Sequence, residues 1–163
     1  MNCDLGYGSH HPILALAVHR TTGPVIECGM GDSSTHLLHY MCLGRKLFSC
    51  ETDQAWLEKY LEYRTADHQL IHVGKWGEVG MIDTDRFDVA FIDSSPGEER
   101  IDLVKRLKGH CKFIVAHDLE ADIRPAGGNY QWAQLDGLFK YYTLFDKLRP
   151  WTGVWSDEEK FTL

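Results

Sequence analysis

The sequence predicts one doubly wound α/β domain, in which a mostly parallel sheet of about seven strands carries helices on both faces. Three observations predict this fold. The chain has 163 residues, which suits a single domain. Apolar strand-like runs alternate at close spacing with amphipathic helical runs, which is the pattern of parallel strands joined by crossover helices. The run FDVAFID (87–93) is apolar almost throughout, as expected of a strand that is covered on both faces.

The predicted elements follow one another without a repeat or a linker, so residues 1–163 are expected to form one domain, with 1–23 as an N-terminal cap segment and helix. The predicted strands are Pro24–Cys28, Lys46–Glu51, His68–Val73, Phe87–Asp93 and Lys112–His117, then the closing strands Tyr142–Leu148 and Thr152–Trp155. The predicted helices are Ser9–Arg20 with Ser9 as its cap, Ser33–Leu43, Gln54–Arg64, one that runs from a capping box at Ser95–Glu98 through Leu107, and Tyr130–Lys140.

The composition narrows the classes of function. The formal net charge of −7 argues against a general binder of nucleic acid or of anionic membranes, because both need a positive surface; a local basic groove stays an alternative. The five cysteines include no CxxC pair and are expected to be reduced, mostly buried thiols. The N-terminal segment lacks the features of a signal peptide, and no apolar run approaches the roughly 18 residues of a membrane span. These features predict a cytoplasmic protein.

A glycine loop follows the first predicted strand, in the stretch VIECGMGDSST (25–35). Gly29 and Gly31 let the backbone turn tightly and let a ligand approach the main chain, and the helix that follows offers unpaired N–H groups. The alternative is a strand–helix turn that needs a positive φ and binds nothing.

An acid in the next strand supports the ligand-binding interpretation. Glu51 ends that strand, twenty residues after Gly31, where a carboxylate can accept hydrogen bonds from the ribose diol of a nucleotide-type cofactor. The alternative for Glu51 is an acid at a helix N-terminus, a role that Asp53 could also fill. Ser34 stands where a dinucleotide fingerprint needs its third glycine, and Glu27 before the glycines suits a cationic ligand. These two positions favour S-adenosylmethionine over a nicotinamide dinucleotide.

At this point the sequence resembles a family. The stretches VIECGMGDSST, LFSCETD, FDVAFIDSSPGEER and KFIVAHD look like the successive motifs of class I S-adenosylmethionine-dependent methyltransferases, and they resemble most the small-molecule O-methyltransferase-like branch. The resemblance covers roughly Pro24 to Asp118. It implies a Rossmann-like fold that binds S-adenosylmethionine at the strand ends.

The resemblance also implies residue roles for cofactor binding. The expected cofactor contacts are Glu27, Gly29 and Gly31 at the methionine end, Ser34 and Thr35 at the start of the helix beneath it, Glu51 at the ribose, Trp76 at the adenine and Asp93 facing the reacting centre. For Trp76 a place in the core is the alternative to stacking on the base.

The catalytic candidates lie at the ends of the fourth and fifth predicted strands. Methyl transfer to a hydroxyl requires an aligned nucleophile and removal of its proton, for which Asp93, His117 and Asp118 are the candidates. Asp93 and Asp118 could instead hold Mg²⁺, a site that Glu120 or Asp122 could complete. Metal-dependent relatives have Asp-Asn where this chain has His117 and Asp118, so a metal-free site stays open, as does a structural role for His117.

Three further segments are candidates for the substrate side or for the core. His10 and His11 precede the first helix, in a segment that can lie over the cofactor in this branch; at least one of them is expected to be a surface histidine. The loop 121–132 is expected to cover the substrate. Trp151 and Trp155 are expected in the core, with an aromatic wall of the pocket as the alternative.

The sequence therefore predicts an S-adenosylmethionine-dependent methyltransferase that acts on an oxygen of a small molecule. It leaves open whether Mg²⁺ is a second cofactor. The expected partner is a small-molecule acceptor, with no general nucleic-acid binding and no membrane binding, and a second copy of the chain is a hypothesis for closing the pocket. The alternatives are another enzyme that uses S-adenosylmethionine, an N- or protein methyltransferase, a non-catalytic cofactor-binding module and a nicotinamide-dependent oxidoreductase.

Overall fold

Seven strands form a single sheet in the computed structural model, which describes residues 6–120 and 130–163. The strands are β1 (Val25–Cys28), β2 (Leu47–Glu51), β3 (His68–His72), β4 (Phe87–Ile92), β5 (Cys111–His117), β6 (Tyr141–Phe145) and β7 (Thr152–Ser156). Their order across the sheet is β3-β2-β1-β4-β5-β7-β6. Strands β1 to β5 pair in parallel, and β7 runs antiparallel to both β5 and β6. The predicted mostly parallel sheet is confirmed.

Helices cover both faces of this sheet. They are α1 (His11–His19), α2 (Ser34–Met41), α3 (Gln54–Glu58), α4 (Met81–Thr84) and α5 (Arg100–Leu107), with 3₁₀ turns at Gly6–Gly8, Leu61–Tyr63, Trp76–Glu78, Gly97–Glu99 and Trp132–Leu135. Alternate residues of β4 enter two different cores: Val89 and Phe91 pack with α1 and α2, while Ala90 and Ile92 pack with α4 and α5. A strand buried on both faces explains why β4 is apolar almost throughout.

The first predicted helix cap is wrong, and the error concerns the site. The N-cap of α1 is His10, which makes no side-chain cap hydrogen bond. The Ser9 hydroxyl instead bonds to the side chain of His117 and donates to the carbonyl oxygen of Pro150. The Ser9 hydroxyl therefore bonds to residues that are distant in the sequence instead of capping α1.

Three other predicted helices differ from the observed ones. The run Gln54–Arg64 is α3 followed by a 3₁₀ turn. The capping box at Ser95–Glu98 is wrong, because Pro96 is extended (ψ 149°) and α5 begins only at Arg100. The predicted helix Tyr130–Lys140 is a single 3₁₀ turn, since Gln131 (φ 58°) and Gly137 (φ 72°) are both left-handed and interrupt a right-handed helix.

Two expectations from composition can be compared with the described residues. Cys28, Cys42, Cys50 and Cys111 are buried free thiols, as predicted, while Cys3 lies outside the described residues. Across residues 6–120 and 130–163, none of the helices combines the length and the apolar character that crossing a bilayer requires.

Candidate cofactor and acceptor site

The turn after β1 needs glycine at one of its two glycine positions. Gly29 has a φ of +96°, and a Cβ there would lie 2.6 Å from the backbone of Asp93 and Ser94, where the chain leaves β4. The Gly29 N–H donates to the carbonyl oxygen of Cys50 at 3.0 Å. Gly31 is not left-handed, and its Cβ would meet only the Ser34 hydroxyl at 3.5 Å. The tight approach at Gly29 is thus to the protein's own backbone, and Gly31 is the more open position.

Glu27 lies beneath this turn and is fully buried. The Thr35 hydroxyl accepts the Gly31 N–H at 2.9 Å and donates to the Glu27 carboxylate at 3.1 Å. The Ser49 hydroxyl donates to Glu27 Oε2 at 2.6 Å. Burial raises the pKa of Glu27 to about 7, despite these hydrogen bonds. Glu27 and Thr35 therefore brace the glycine turn from below.

Glu51 is tied to the same turn from the neighbouring strand end. Its Oε2 accepts the Met30 N–H at 2.9 Å, and its Oε1 accepts the N–H groups of Thr52 and Asp53 at 2.7 and 3.0 Å. Within the described part of the chain, Oε2 has this one hydrogen bond, so it can accept another. The acid that was predicted to bind ribose is therefore fixed in place and keeps a free lone pair. Asp53 caps α3 by accepting from the Trp56 N–H.

A cavity of about 610 Å³ opens beside the turn. Its lining residues are Tyr7, His10, Met30, Gly31, Asp32, Ser33, Ser34, Trp56 and Asp93. Trp56 donates its indole N–H to the Met30 carbonyl oxygen at 2.6 Å. Trp76, by contrast, is 2% exposed in the hydrophobic core, and its indole N–H donates to the Ser95 carbonyl oxygen. The tryptophan at the cavity is therefore Trp56, from the predicted helix Gln54–Arg64, and Trp76 is in the core, which was the alternative for it.

Arg100 lies between the carboxylates that follow β4 and β5, and the sequence did not predict it as a site residue. Its guanidinium lies 2.8 Å from Asp93 Oδ1 and 3.1 Å from Asp118 Oδ2, and it also donates to the carbonyl oxygens of Ser94 and His117. Burial raises the pKa of Asp93, but its hydrogen bond with His117 and the charge of Arg100 outweigh this and hold the pKa below the usual range. In the sequence Arg100 follows two glutamates in a charged run, which gives no sign that its side chain is buried.

The residues expected to hold Mg²⁺ do not fit that ion. The guanidinium of Arg100 already bridges the carboxylates of Asp93 and Asp118, where a cation would have to bind. Glu120, a candidate third ligand, points elsewhere and accepts the backbone N–H of Trp151. Asp122 lies outside the described residues. No step of the chemistry is therefore assigned to Mg²⁺.

His117 lies at the end of β5 and is buried behind Asp93. Its Nδ1 is 3.4 Å from Asp93 Oδ2, and its Nε2 is 2.8 Å from the Ser9 hydroxyl. Asp118 follows in a left-handed conformation (φ 62°), which turns its carboxylate back toward Arg100. The three catalytic candidates of the sequence analysis thus come together around one guanidinium.

His10 completes this cluster from the N-terminal segment. Its ring lies 4.7 Å from that of His117 and 4.6 Å from that of Phe91, measured between centroids. Burial, with the nearby charge of His117, lowers the pKa of His10 to about 3, so the ring is neutral. His11 is half-buried and its Nε2 lies 3.2 Å from the Ser33 carbonyl oxygen. His10 is therefore not a surface histidine, whereas His11 remains partly exposed.

A second cavity, of about 550 Å³, meets the first at Asp93. Its lining residues are Tyr7, Asp93, Arg100, His117, Asp118, Arg149 and Pro150. Trp155 is in the core, stacked between Trp132 and Tyr142, as predicted. Residues 121–129 of the loop expected to cover the substrate lie outside the described residues.

Solved structures with the same fold are known. The chain is 12% identical to an rRNA methylase from Streptococcus thermophilus, with a TM-score of 0.62 over 96% of this chain and 98% of that one. It is 14% identical to the catalytic domain of human METTL16, with a TM-score of 0.61 over 100% of this chain and 74% of that one. It is 19% identical to a spermidine synthase, with a TM-score of 0.64 over 96% and 62% of the two chains. These likenesses show a Rossmann-like methyltransferase fold.

Sequence comparison adds nothing to this result. No protein-family profile matches the chain, and no curated protein sequence does.

The comparisons overturn the expected partners. The METTL16 domain was solved in complex with an RNA hairpin from the MAT2A 3′UTR. A protein of this fold therefore binds RNA, and the expectation of a small-molecule acceptor without general nucleic-acid binding was wrong. The physical reason is that net charge sums over the whole surface, whereas binding depends on the local field at one face.

Proposed function

We propose that this chain is a methyltransferase that binds S-adenosylmethionine in the 610 Å³ cavity and transfers its methyl group to a nucleophile in the adjoining 550 Å³ cavity. The observation that carries the proposal is the convergence of the Gly29–Gly31 turn, Glu51 and Asp93 at one edge of the sheet, from the ends of β1, β2 and β4. Ligands bind at such carboxyl-terminal edges in open α/β sheets. The neighbours support this choice of cofactor, since the N-terminal domain of METTL16 was solved with S-adenosylhomocysteine.

The cofactor side uses backbone groups and two side chains. The N–H groups of Gly29, Met30 and Gly31 are already paired within the protein, so the main chain left to the cofactor is that of Asp32, Ser33 and Ser34 at the start of α2. The free lone pair of Glu51 Oε2 is available to a ribose hydroxyl, and the Trp56 ring offers a surface for a base. Glu27 and Thr35 act indirectly, by bracing the turn.

The acceptor side aligns the nucleophile and takes its proton. S-adenosylmethionine, when bound, supplies a methyl carbon activated by a sulfonium. Asp93 lines both cavities and its carboxylate is about one-quarter exposed, so it can contact the acceptor. His117 behind it shares the proton across the 3.4 Å contact, and Arg100 holds Asp93 in position. Positioning of this kind contributes much of the rate in an in-line displacement.

RNA is one class of acceptor to be tested. Two of the neighbours are an rRNA methylase and a domain bound to an RNA hairpin. The candidate nucleophiles therefore include atoms of RNA bases and riboses. The motif resemblance favours an oxygen nucleophile over nitrogen. The cavity between Tyr7, Arg149 and Asp118 offers both positive and negative groups to such an acceptor.

The test is methyl transfer from tritiated S-adenosylmethionine, with acceptor panels of structured RNAs and of hydroxyl- and amine-bearing compounds. We expect label in one acceptor class and an equal amount of S-adenosylhomocysteine. Cofactor binding without transfer to any panel would reduce the protein to a binding module. A folded protein that binds neither form of the cofactor would contradict the proposal outright.

A further inference from the structure

We propose that His10, Asp93 and His117 form a binding site for a transition-metal ion, and that Zn²⁺ is the ion this donor set suits best. One ligand atom from each of the three residues lies within 4.8 Å of the other two. The inference goes beyond the proposed methyl transfer, because it concerns an ion on the acceptor side and can be tested without S-adenosylmethionine.

The hydrogen bonds of Ser9 determine which nitrogen of His117 is free. The single hydroxyl hydrogen of Ser9 goes to the carbonyl oxygen of Pro150 at 2.7 Å, since a carbonyl can only accept. The Ser9 oxygen must then accept from His117 Nε2–H at 2.8 Å, which assigns the tautomer. In the neutral ring the lone pair is on Nδ1, and it faces Asp93 Oδ2 at 3.4 Å. Either a proton on Nδ1, which makes the hydrogen bond to Asp93 described above, or a cation in its place must therefore lie between these two atoms.

His10 supplies an independent observation that points to a ligand. Its side chain is 1% exposed, and neither ring nitrogen has a hydrogen-bond partner among the described residues. A buried polar atom without a partner costs free energy, so such atoms in native proteins call for an explanation. The ring packs between those of Phe91 and His117. An ion bound there would give a His10 nitrogen its missing partner.

The charges around the cluster favour a cation. Among the carboxylates and the guanidinium, Asp93 and Asp118 contribute two negative charges and Arg100 contributes one positive charge. One negative charge is therefore left uncompensated beside the cavity. A divalent ion would change this balance to one positive charge, which suits an acceptor that has lost its proton.

The distances and the donor types select the ion. Two ligands on a tetrahedral ion with bonds of about 2.0–2.1 Å lie about 3.3–3.4 Å apart, and His117 Nδ1 and Asp93 Oδ2 are 3.4 Å apart. The His10 side chain, whose ring nitrogens have no hydrogen-bond partner among the described residues, is the ligand that can move inward. The Ser9 bond to Nε2 orients the His117 ring as outer partners of metal-bound histidines do. Imidazole nitrogens suit Zn²⁺ and disfavour Mg²⁺.

Three protein ligands leave a fourth position open, which is the pattern of catalytic zinc sites. Asp93 and Tyr7 line both cavities, so the open position faces the space where the acceptor is proposed to bind. An acceptor atom bound to the ion would become more acidic. With the ion bound, Asp93 and His117 would hold the metal instead of sharing the acceptor's proton, and the ion would make the acceptor acidic in their place, as expected above of Mg²⁺ but with different ligands.

The experiment uses the full chain without a histidine tag, freed of metal with a chelator and titrated with Zn²⁺ by calorimetry and with Co²⁺ by visible absorption. We expect one ion per chain and a tetrahedral Co²⁺ spectrum. His10→Phe keeps a ring against Phe91 but removes both nitrogens, and it should weaken Zn²⁺ binding by at least about 100-fold. His11→Phe makes the same change one residue further on and should bind Zn²⁺ normally.

A second control variant and a fallback variant complete the experiment. His39 and His68 also lie close together, with Nδ1 atoms 3.0 Å apart, and His39→Phe should leave Zn²⁺ binding unchanged. If His10→Phe does not fold, Asp93→Asn must show the loss instead. The proposal is overturned if the wild type takes up no Zn²⁺, if Mg²⁺ competes with Zn²⁺ at similar concentration, or if both His10→Phe and Asp93→Asn bind like the wild type.

The metal proposal and the proposed function fail separately. S-adenosylhomocysteine is titrated into the same metal-free protein. Binding of S-adenosylhomocysteine without Zn²⁺ binding would remove only the metal site. Zn²⁺ binding without S-adenosylhomocysteine binding would remove only the cofactor assignment.

Discussion

The two sides of the site are built in different ways. On the cofactor side, at the ends of β1 and β2, the Glu51 carboxylate is held by the backbone N–H groups of Met30, Thr52 and Asp53, all within 21 residues of it. On the acceptor side, at the ends of β4 and β5, side chains hold side chains, and His117 contacts Ser9 across 108 residues. Contacts between residues that are near in the sequence can be predicted from their spacing, whereas contacts between distant side chains cannot.

The difference predicts where substitutions act. Changes on the acceptor side should reduce turnover and spare cofactor affinity. Changes on the cofactor side should reduce affinity, or destabilise the fold through the turn.

His117→Gln should lower the rate of methyl transfer by about 10²–10⁴-fold, because it removes the group that shares the acceptor's proton. Affinity for S-adenosylhomocysteine should change little, since His117 does not line the 610 Å³ cavity. His110→Gln is the matched control, at the opposite end of β5 and far from Asp93. Steady-state rates at saturating cofactor measure the effect. Equal turnover in the two variants would remove His117 from the chemistry.

Glu27→Gln should change how stability depends on pH. Burial raises the pKa of Glu27 from about 4.5 to about 7, so the folded state binds a proton more tightly than the unfolded chain. This contribution to stability is present below pH 4.5 and is lost as the pH rises to about 7, which amounts to about 3 kcal/mol.

Urea unfolding at pH 4.5 and pH 8 measures the effect for the wild type, Glu27→Gln and the exposed control Glu58→Gln. The wild type should lose about 3 kcal/mol relative to Glu27→Gln between the two pH values. The control should follow the wild type. A wild type that gains stability relative to Glu27→Gln as the pH rises would mean that the pKa of Glu27 is lowered, contrary to the burial argument.

Gly29→Ala should destabilise the protein by about 2–3 kcal/mol, because it combines a left-handed residue with a Cβ 2.6 Å from the backbone after β4. Gly31→Ala should cost less than about 1 kcal/mol, since Gly31 has neither constraint. Urea midpoints of the two variants give the comparison. If the two variants lost similar amounts of stability, neither the positive φ of Gly29 nor its close contact with the chain after β4 would explain the effect.

Glu51→Ala should weaken S-adenosylhomocysteine binding by about 10- to 100-fold, the loss of a hydrogen bond to a charged group. Glu58→Ala, seven residues further on in α3 and exposed, is the control and should bind normally. Calorimetric titration measures both. A folded Glu51→Ala that binds as tightly as the wild type would restrict Glu51 to holding the Met30 turn.

The sequence predicted the features whose physical cause is local. The apolar β4, the glycine turn and an acid at the end of β2 follow from short-range pattern, and so does the position of Asp93 and His117 at neighbouring strand ends. Their meeting could be predicted because parallel strands end at one edge of a sheet.

The remaining features depend on the tertiary structure. Ser9 has the local signature of a helix cap, yet its hydroxyl bonds to His117. Arg100 lies in a charged run that reads as solvent-exposed, yet it is buried between two carboxylates. His10 lies in a segment whose burial depends on packing against Phe91. Trp76 lies in the core, the alternative left open for it, and Trp56 of α3 lines the cavity, since an apolar helix position does not reveal whether a cavity lies beside it.

The roles proposed for both cavities depend on the binding of S-adenosylmethionine beside the Gly29–Gly31 turn. Calorimetric titration of the purified full chain with S-adenosylmethionine and with S-adenosylhomocysteine tests this binding. We expect both to bind, with one molecule per chain, and each to compete with the other. A folded protein that shows no binding of either would contradict this expectation, and the turn would then serve only the packing of β1 against the chain after β4.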